Sequence, residues 1–397
     1  MGNYRYRDLD EDEVISTAGK ALARSSSGAV SVSPVETISD IQRRNLVIRA
    51  VAAYSDGSKQ PIIVKATRSA AYDPKAKDSL HTSGLFREWA ATALLKPWAD
   101  NGMLVSQFLA GDSELGLIVT HDLGSELPSL VEPLLGDKPS HAEKAILEYA
   151  AALGNLHAKT VGCNEAYNQI AQAAFPHEIT KEDNLPILTK SMGVIQGALG
   201  GRSDKDEIAV IAESLDRPGQ WQALVHGDLC PDNVLFKGDR ACFIDFEAAR
   251  PGHALLDTSY LWMGFPSCWC AGRLPEALSR QAEQAYLRAL STTCRTSFEE
   301  ASYRLELAHI CAAQMLRRIA GVLEEALVSN WEWGIAAVRS RILWGVRSAC
   351  NVMSQAQTLP VLNVLAERWA EDLEDRWEQS EVLSYYPAFE NVDTAGL

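Results

Sequence analysis

Two short apolar runs near the middle of the chain, Val234–Phe236 and Ala241–Ile244, are separated only by the turn sequence Lys-Gly-Asp-Arg. Short apolar runs around a glycine-containing turn predict a β-hairpin. Polar residues stand at both open ends, because the segment from Asp228 to Asn233 leads into the first strand and Asp245 follows the second. In an antiparallel pair the start of one strand lies beside the end of the other. We therefore expect Asn233 and Asp245 to come within reach of one ion, with Asp228 a loop away.

The side chains at this hairpin suit phosphoryl transfer. The transferred group is negatively charged throughout the reaction, so an enzyme must supply oxygen ligands for Mg²⁺ and a carboxylate that orients the attacking hydroxyl and accepts its proton. Asp228 and Asn233 have the D-x-x-x-x-N spacing, and Asp245 begins an Asp-Phe pair. Kinases use this pattern for a catalytic base and two metal ligands. The alternative interpretation is an ordinary polar surface turn.

Composition limits the functions that this hairpin can serve. The chain has 397 residues, of which 47% are hydrophobic and 22% are charged, so it is long enough to bury a large core in two or three domains. Its 52 acidic and 37 basic residues give a net charge of −15. Nucleic-acid binding depends on Lys and Arg, so this charge argues against it and favours cationic small substrates instead.

The same features predict a cytoplasmic protein. The sequence has no long apolar run and a polar N-terminus, which argue against a membrane span and a secretory signal. Its eight cysteines contain no C-x-x-C pair, which predicts reduced, mostly buried thiols. The Cys268-Trp-Cys270 segment is expected to pack in apolar surroundings rather than bind zinc. Nothing in the sequence indicates the oligomeric state.

The first third of the chain has the pattern of a sheet with one helix. Residues 46–54 and 61–67 are apolar runs joined through Asp56-Gly57, which predicts an antiparallel pair. Residues 29–39 predict a third strand that Pro34 confines to an edge or a bend. Helical spacing over residues 84–97 predicts a helix that Pro97 ends, and residues 116–124 predict a strand running into a loop.

The later part of the chain has helical patterns. Ser140 and Glu143 form a capping-box signature that opens a helix through His157, and residues 275–379 are almost continuously helical in pattern. Leu199 to Ser203 is a predicted loop. Five tryptophans are expected to provide large buried faces: Trp331, Trp333, Trp344, Trp369 and Trp377.

The hairpin motifs resemble those of a known family. His226-Gly-Asp-Leu-Cys-Pro-Asp-Asn233 and Ile244-Asp-Phe-Glu247 are similar to the HGD-x-x-x-x-N and IDF motifs of the aminoglycoside phosphotransferases and choline kinases, small-molecule relatives of the protein kinases. The resemblance implies ATP and Mg²⁺ as cofactors and phosphorylation of a hydroxyl on a small molecule, such as an aminoglycoside or another amino alcohol. It makes Asp228 the catalytic base and Asn233 and Asp245 the Mg²⁺ ligands, with His226 bracing the loop.

The resemblance also implies an α+β, bilobal, protein-kinase-like fold. We expect residues 1–122 to form a small β-rich N-terminal lobe that binds nucleotide, and residues 123–397 to form a larger, mostly helical lobe with the catalytic loop and the substrate site. In the first lobe, Lys65 resembles the strand lysine that holds the α- and β-phosphates, and Glu88 resembles its helix partner. A lysine inside an apolar strand needs a charged partner if it is buried; the alternative is an exposed lysine and a solvated glutamate.

The resemblance places the adenine at Thr120, His121 and Leu123, in the connection between the lobes. The chain departs from the family at two places. Residues 39–45, which would cover the phosphates, contain no glycine, so Arg43 or Arg44 would contact phosphate instead. Asp232 stands where the family commonly has a glycine before the metal-binding asparagine. Asp257 is either the further aspartate of the family or an N-cap.

Two other functions fit the same motifs. The first is a pseudokinase, a nucleotide-binding or scaffold protein on the same fold, for which the glycine-free loop is the main argument. The second is a metallohydrolase that uses His226, Asp228 and Asp245, disfavoured because no second histidine cluster supplies ligands.

Overall fold

The structure is a computed structural model of the chain, and it describes residues 6–26, 28–40, 43–75, 83–99, 105–175, 183–294, 298–377 and 381–390. The chain forms two compact units. The first contains Met1–Leu127, Asn164–Thr180 and Cys242–Arg250, and the second contains Pro128–Cys163, Lys181–Ala241 and Pro251–Leu397. The predicted α+β class, with a β-rich N-terminal part and a larger, mostly helical part, is confirmed.

The first unit contains a five-stranded antiparallel sheet in the order β1-β2-β3-β5-β4. Its strands are β1 (Val30–Thr37), β2 (Asn45–Tyr54), β3 (Lys59–Thr67), β4 (Phe108–Asp112) and β5 (Leu117–His121). The predicted pair β2 and β3 and the predicted strand β5 are present. β1 lies at the sheet edge and shifts register between Pro34 and Glu36, as its proline predicted. β4 was not predicted.

A helix that the sequence analysis missed covers one face of this sheet. α1 (Glu11–Ser26) contributes Val14, Ala18 and Leu22 to the same buried cluster as Ile48 of β2. The expectation of a single helix in this part of the chain was therefore wrong. The signal was present, because buried residues recur three or four positions apart and three acidic residues occupy the first turn.

α2 (Ser83–Ala99) corresponds to the predicted helix, but Pro97 does not end it. Proline removes only one backbone donor, and its fixed φ is compatible with a helix, so the last turn continues to Ala99. α5 (Asn164–Ala174), which belongs to the first unit although it follows later in the chain, packs against α2.

The second unit is mostly helical. Its helices are α3 (Val131–Leu135), α4 (Pro139–Lys159), α6 (Asn184–Leu199), α7 (Lys205–Asp216), α8 (Leu255–Thr258), α9 (Tyr260–Met263), α10 (Glu276–Cys294), α11 (Glu300–Val328), α12 (Val338–Ala356) and α13 (Pro360–Arg376). Its short strands are β6 (Gln222–Val225), β7 (Val234–Lys237), β8 (Arg240–Phe243, which crosses into the first unit), β9 (Arg250–His253, likewise shared), β10 (Glu332–Trp333) and β11 (Ala336–Ala337). The helical pattern over residues 275–379 and the loop after Leu199 are confirmed within the described residues.

Two details of the helical part were predicted wrongly. Ser140 does not cap α4, because the helix begins at Pro139 and no side chain bonds its first turn; proline at the first position needs no such bond. Trp333 is 45% exposed, since it lies in the β10–β11 hairpin rather than on a helix face. Trp369 and Trp377 are buried as expected, and Trp331 and Trp344 are half-buried.

None of the helices in the described ranges has the length and apolarity that a membrane crossing requires.

Candidate active site

The predicted hairpin is present as β7 and β8, and hydrogen bonds within the loop before it connect residues 226, 228 and 233. Asn233 directly precedes β7, and Asp245 lies two residues beyond the end of β8. Asn233 donates from Nδ2 to the carbonyl oxygen of Asp228 at 2.8 Å, and the backbone N–H of Asp228 donates to Nδ1 of His226 at 3.4 Å. His226 thus braces the loop, as the resemblance implied.

Asp257 fixes the backbone just before Asp228. Its fully buried carboxylate accepts the N–H groups of His226 at 2.7 Å and Gly227 at 3.0 Å. The N-cap interpretation of Asp257 is wrong, because Asp257 lies inside α8 and the N-cap of the following helix, α9, is Ser259. A carboxylate that takes two consecutive backbone donors from a loop holds that loop in one conformation.

The buried side chain of His157 holds the carboxylate of Asp257 in place. His157 of α4 lies 3.2 Å from Asp257 through Nε2 and 2.9 Å from the Tyr286 hydroxyl through Nδ1, so both ring nitrogens of this fully buried histidine have partners. Burial by itself would raise the pKa of Asp257, but the hydrogen bond from His157 and the electrostatic interaction with both nearby histidines bring the pKa below its usual value. Asp257 therefore stays ionised inside the protein.

In the first unit, Lys65 lies among three carboxylates. Its Nζ atom is 2.6 Å from Glu88 of α2 and 3.8 Å from Glu247, and it also bonds Asp245. The Lys65 and Glu88 side chains are only 12% and 9% exposed. The structure thus brings Lys65, Glu88 and Asp245 together. Sequence reasoning missed Glu247, although its position two residues after Asp245 was the available signal.

The charged groups of this cluster shift one another's pKa. Burial by itself would lower the pKa of Lys65, but the surrounding carboxylates raise it above its ordinary value, so the ammonium group stays charged. Burial raises the pKa of Glu88 against the opposing influence of Lys65. Arg44 pairs with Glu247 at the edge of the cluster. Carboxylate oxygens gathered in this way are the ligand type that divalent cations prefer.

Asp245 has an unusual backbone. Its φ of 62° places a non-glycine residue in the left-handed region, which is strained and occurs mainly where function requires a fixed side-chain direction. We attribute the strain to the direction that its carboxylate takes toward Lys65.

Replacing Lys65 with methionine is expected to lower the free energy of unfolding by about 3 kcal/mol, mainly because the buried carboxylate of Glu88 loses its counter-charge, with a smaller contribution from the partly exposed carboxylate of Asp245. The effect should be larger at about pH 8 than at about pH 5. Without Lys65 the pKa of Glu88 rises further, and a group with a raised folded-state pKa loses its contribution to stability as the pH rises through that pKa. Urea unfolding at both pH values measures the difference, and Lys59→Met, an exposed change on the same strand, is the control. Equal losses at both pH values would contradict the charge argument.

The residues predicted to meet adenine lie at the end of β5. Thr120 pairs with Ile63 inside the sheet and is 5% exposed, and the N–H of His121 donates to the carbonyl of Gln107. Leu123 follows the strand, and within the described residues its backbone groups have no hydrogen-bond partner. Leu123 therefore offers both a donor and an acceptor.

The two predicted magnesium ligands belong to different units, Asn233 to the second and Asp245 to the first. No group of three or more His, Cys, Asp or Glu side chains suited to a metal occurs in the described part of the chain, but Mg²⁺ keeps several waters and binds phosphate oxygens, so one or two protein oxygens suffice. Nδ2 of Asn233 donates to the Asp228 carbonyl, so Oδ1 is the atom of Asn233 that could bind a cation. Asp245 carries a carboxylate, which is a ligand type that Mg²⁺ prefers.

The predicted phosphate-covering segment, residues 39–45, is described only in part, since 41 and 42 lie outside the described residues. Of its two arginines, Arg44 is paired with Glu247 and is 63% exposed.

One pair of cysteines departs from the expectation of reduced thiols. Cys230 and Cys268 form a disulfide across 38 residues of sequence, which no local spacing could reveal. The Cys230 sulfur lies 3.4 Å from Oδ1 of Asp228, so the cross-link reaches the candidate catalytic residue. Cys163, Cys270, Cys311 and Cys350 are free thiols, and Cys268 and Cys270 are both buried as predicted.

A strand lysine paired with a helix glutamate, a braced HGD loop and an aspartate after a hairpin are the parts of a kinase-type phosphotransferase. The model of the phosphotransferase enzyme family matches residues 86–304. The chain therefore belongs to that family, which confirms the resemblance and the prediction of an enzyme.

Solved structures with similar folds include a choline kinase from Cryptosporidium parvum, with 15% identity over 90% of this chain and 100% of that chain and a TM-score of 0.48. An ethanolamine kinase from Plasmodium vivax has 13% identity over 84% of this chain and 83% of that chain, with a TM-score of 0.44. The macrolide 2'-phosphotransferase MphH from Brachybacterium faecium has 17% identity over 79% of this chain and 93% of that chain, with a TM-score of 0.42. No curated protein sequence matches significantly. At these identities and TM-scores no substrate follows from the similarity.

Proposed function

We propose that the protein transfers the γ-phosphoryl group of ATP, with Mg²⁺, to a hydroxyl of a small molecule, either an aminoglycoside-like compound or another amino alcohol. The observation that carries the proposal is the buried lysine cluster, in which Lys65 is held by Glu88 and reaches Asp245. A buried lysine held between two carboxylates suits a ligand that carries phosphate and a divalent cation. ATP with a divalent cation would supply the phosphates that Lys65 holds and the cation that the carboxylate of Asp245 binds.

Each predicted site residue has a role in this proposed reaction. Glu88 orients Lys65, which binds the α- and β-phosphates, and the backbone at Thr120, His121 and Leu123 receives adenine. Asn233 and Asp245 hold Mg²⁺, which would neutralise charge on the phosphates when bound. Asp228 accepts the proton of the acceptor hydroxyl as its oxygen attacks the γ-phosphorus, and the bond from that phosphorus to the bridging oxygen breaks to release ADP.

The net charge of −15 favours an acceptor that carries positive charge. Use of ATP is the reason to place the protein in the cytoplasm.

Calorimetric titration with ATP, with and without Mg²⁺, tests the proposal. We expect binding to require Mg²⁺ and to weaken at least about tenfold in Asp245→Ala, whereas Asp239→Ala, an exposed change in the hairpin turn, should bind as the parent does. No nucleotide binding under either condition would remove the proposal. Binding without phosphorylation of any hydroxylated amine would instead support the pseudokinase alternative, which the glycine-free loop favours.

A further inference from the structure

An arginine beside the catalytic loop lacks a carboxylate partner. Arg318 of α11 is half-buried, its Nη2 donates to the Tyr260 hydroxyl at 3.3 Å, and its guanidinium lies 5.6 Å from the centre of that ring. Its Nε atom is buried and has no hydrogen-bond partner. No carboxylate of the described residues lies within 4.0 Å of it, whereas Arg304 and Arg347 of the same unit pair with Glu283 and Glu374 at 2.8 and 2.6 Å.

A short series of contacts connects Arg318 to the catalytic residue. The Tyr260 hydroxyl lies 2.7 Å from Oγ of Ser267, which lies 3.9 Å from the Cys230 sulfur, which in turn lies 3.4 Å from Oδ1 of Asp228. All five residues belong to the second unit. Burial raises the pKa of Tyr260, while the charge of Arg318 lowers it and that of Asp228 raises it again, so both charges act on one hydroxyl. Arg318 is therefore connected to Asp228 through three intervening side chains.

A purely structural arginine in this unit has a different environment. Arg341 is 8% exposed, and its guanidinium donates to backbone carbonyls of the segments around Cys268 and Trp333. It uses its donors within the protein and is fully accounted for by packing. Arg318 uses one donor within the described residues, so its charge is not neutralised there and most of its donors have no protein partner.

We propose that Arg318, assisted by the Tyr260 hydroxyl, binds a carboxylate on the acceptor, so that the acceptor is a hydroxylated amino acid or related hydroxy acid rather than a simple amino alcohol. The planar guanidinium matches a carboxylate through paired hydrogen bonds. This inference rests on the proposed function, because it places the acceptor hydroxyl at Asp228 and the acceptor carboxylate at Arg318. The phosphoryl transfer itself is unchanged.

Matched acceptors that differ by a carboxylate test the inference. Ethanolamine is compared with serine and 3-aminopropanol with homoserine, and ADP release from Mg²⁺-ATP is measured for the parent, Arg318→Gln and Arg288→Gln, a change at an exposed arginine of α10. In the parent, at least one carboxylated compound should show a kcat/KM about tenfold or more above that of its partner. Arg318→Gln should bring that ratio toward one, mainly through KM, and Arg288→Gln should keep it.

Equal ratios in the parent and Arg318→Gln, or a preference for the carboxylate-free partners, would overturn the inference while leaving the proposed function intact. If none of the compounds is phosphorylated, their binding to the two proteins is compared by saturation-transfer NMR. If the carboxylated compounds bind the parent but not Arg318→Gln, the inference is supported. If they bind both proteins equally, or bind neither, it is overturned. Failure of the proposed function is recognised separately, as the absence of Mg²⁺-dependent ATP binding in the parent.

Discussion

Asp228→Asn is expected to lower the rate of phosphotransfer at least about 100-fold while leaving ATP affinity nearly unchanged. The asparagine side chain keeps the shape of the aspartate but cannot accept the proton of the acceptor hydroxyl, and general base catalysis contributes about 10²-fold to 10⁴-fold to such reactions. The loop conformation should survive, because the bonds from Asn233 and to His226 use only the backbone of residue 228. Single-turnover phosphorylation of an acceptor, together with calorimetry for ATP, separates the two effects.

The control is Asp239→Asn, which makes the same chemical change on a side chain that is 78% exposed in the turn after β7. It should retain the parent rate. A phosphotransfer rate in Asp228→Asn within a few-fold of the parent would mean that another group accepts the proton.

Asp257→Ala is expected to reduce the free energy of unfolding by about 3 kcal/mol, because it leaves the buried N–H groups of His226 and Gly227 and the ring of His157 without their acceptor. The released loop should also lower kcat, since the backbone before Asp228 is no longer held. Chemical denaturation and the turnover rate give the two values.

The difference in the free energy of unfolding between the parent and Asp257→Ala should become smaller as the pH falls. The folded-state pKa of Asp257 lies below its usual value, so its contribution is complete above about pH 4 and is lost as the pH falls through the folded-state pKa. The difference between the parent and Asp257→Ala should therefore shrink in acid. Asp375→Ala, an exposed change on α13, should alter stability by less than about 0.5 kcal/mol at any pH. A pH-independent difference for Asp257→Ala would show that the carboxylate contributes through shape rather than charge.

Local patterns were sufficient for some of the strands and for the long helices of the later part of the chain. β2, β3 and the β7–β8 hairpin follow from short apolar runs around turn residues, and the burial of alternate residues along β2 explains why the pattern is so regular. α1 was missed because its polar first turn hides a narrow apolar stripe. The end of α2 was placed too early because proline was treated as a stop rather than as a last-turn residue.

Contacts between distant residues were not accessible in the same way. The resemblance suggested that Lys65 and Glu88 meet, but nothing in the sequence showed that Glu247 joins them. The brace from Asp257 and the disulfide of Cys230 join residues about 30 or more positions apart, and such pairs are set by the packing of the whole unit. The nucleotide and metal roles of the site residues stay predictions.

The cross-link between Cys230 and Cys268 makes buffer chemistry an experimental variable for this protein. A sample kept in a thiol reductant has a catalytic loop that is joined to residue 268 by packing only, whereas an air-oxidised sample has the two segments covalently tied. Rates and affinities measured in the two buffers therefore belong to two different molecules, and mass spectrometry of each preparation is needed before such values are compared.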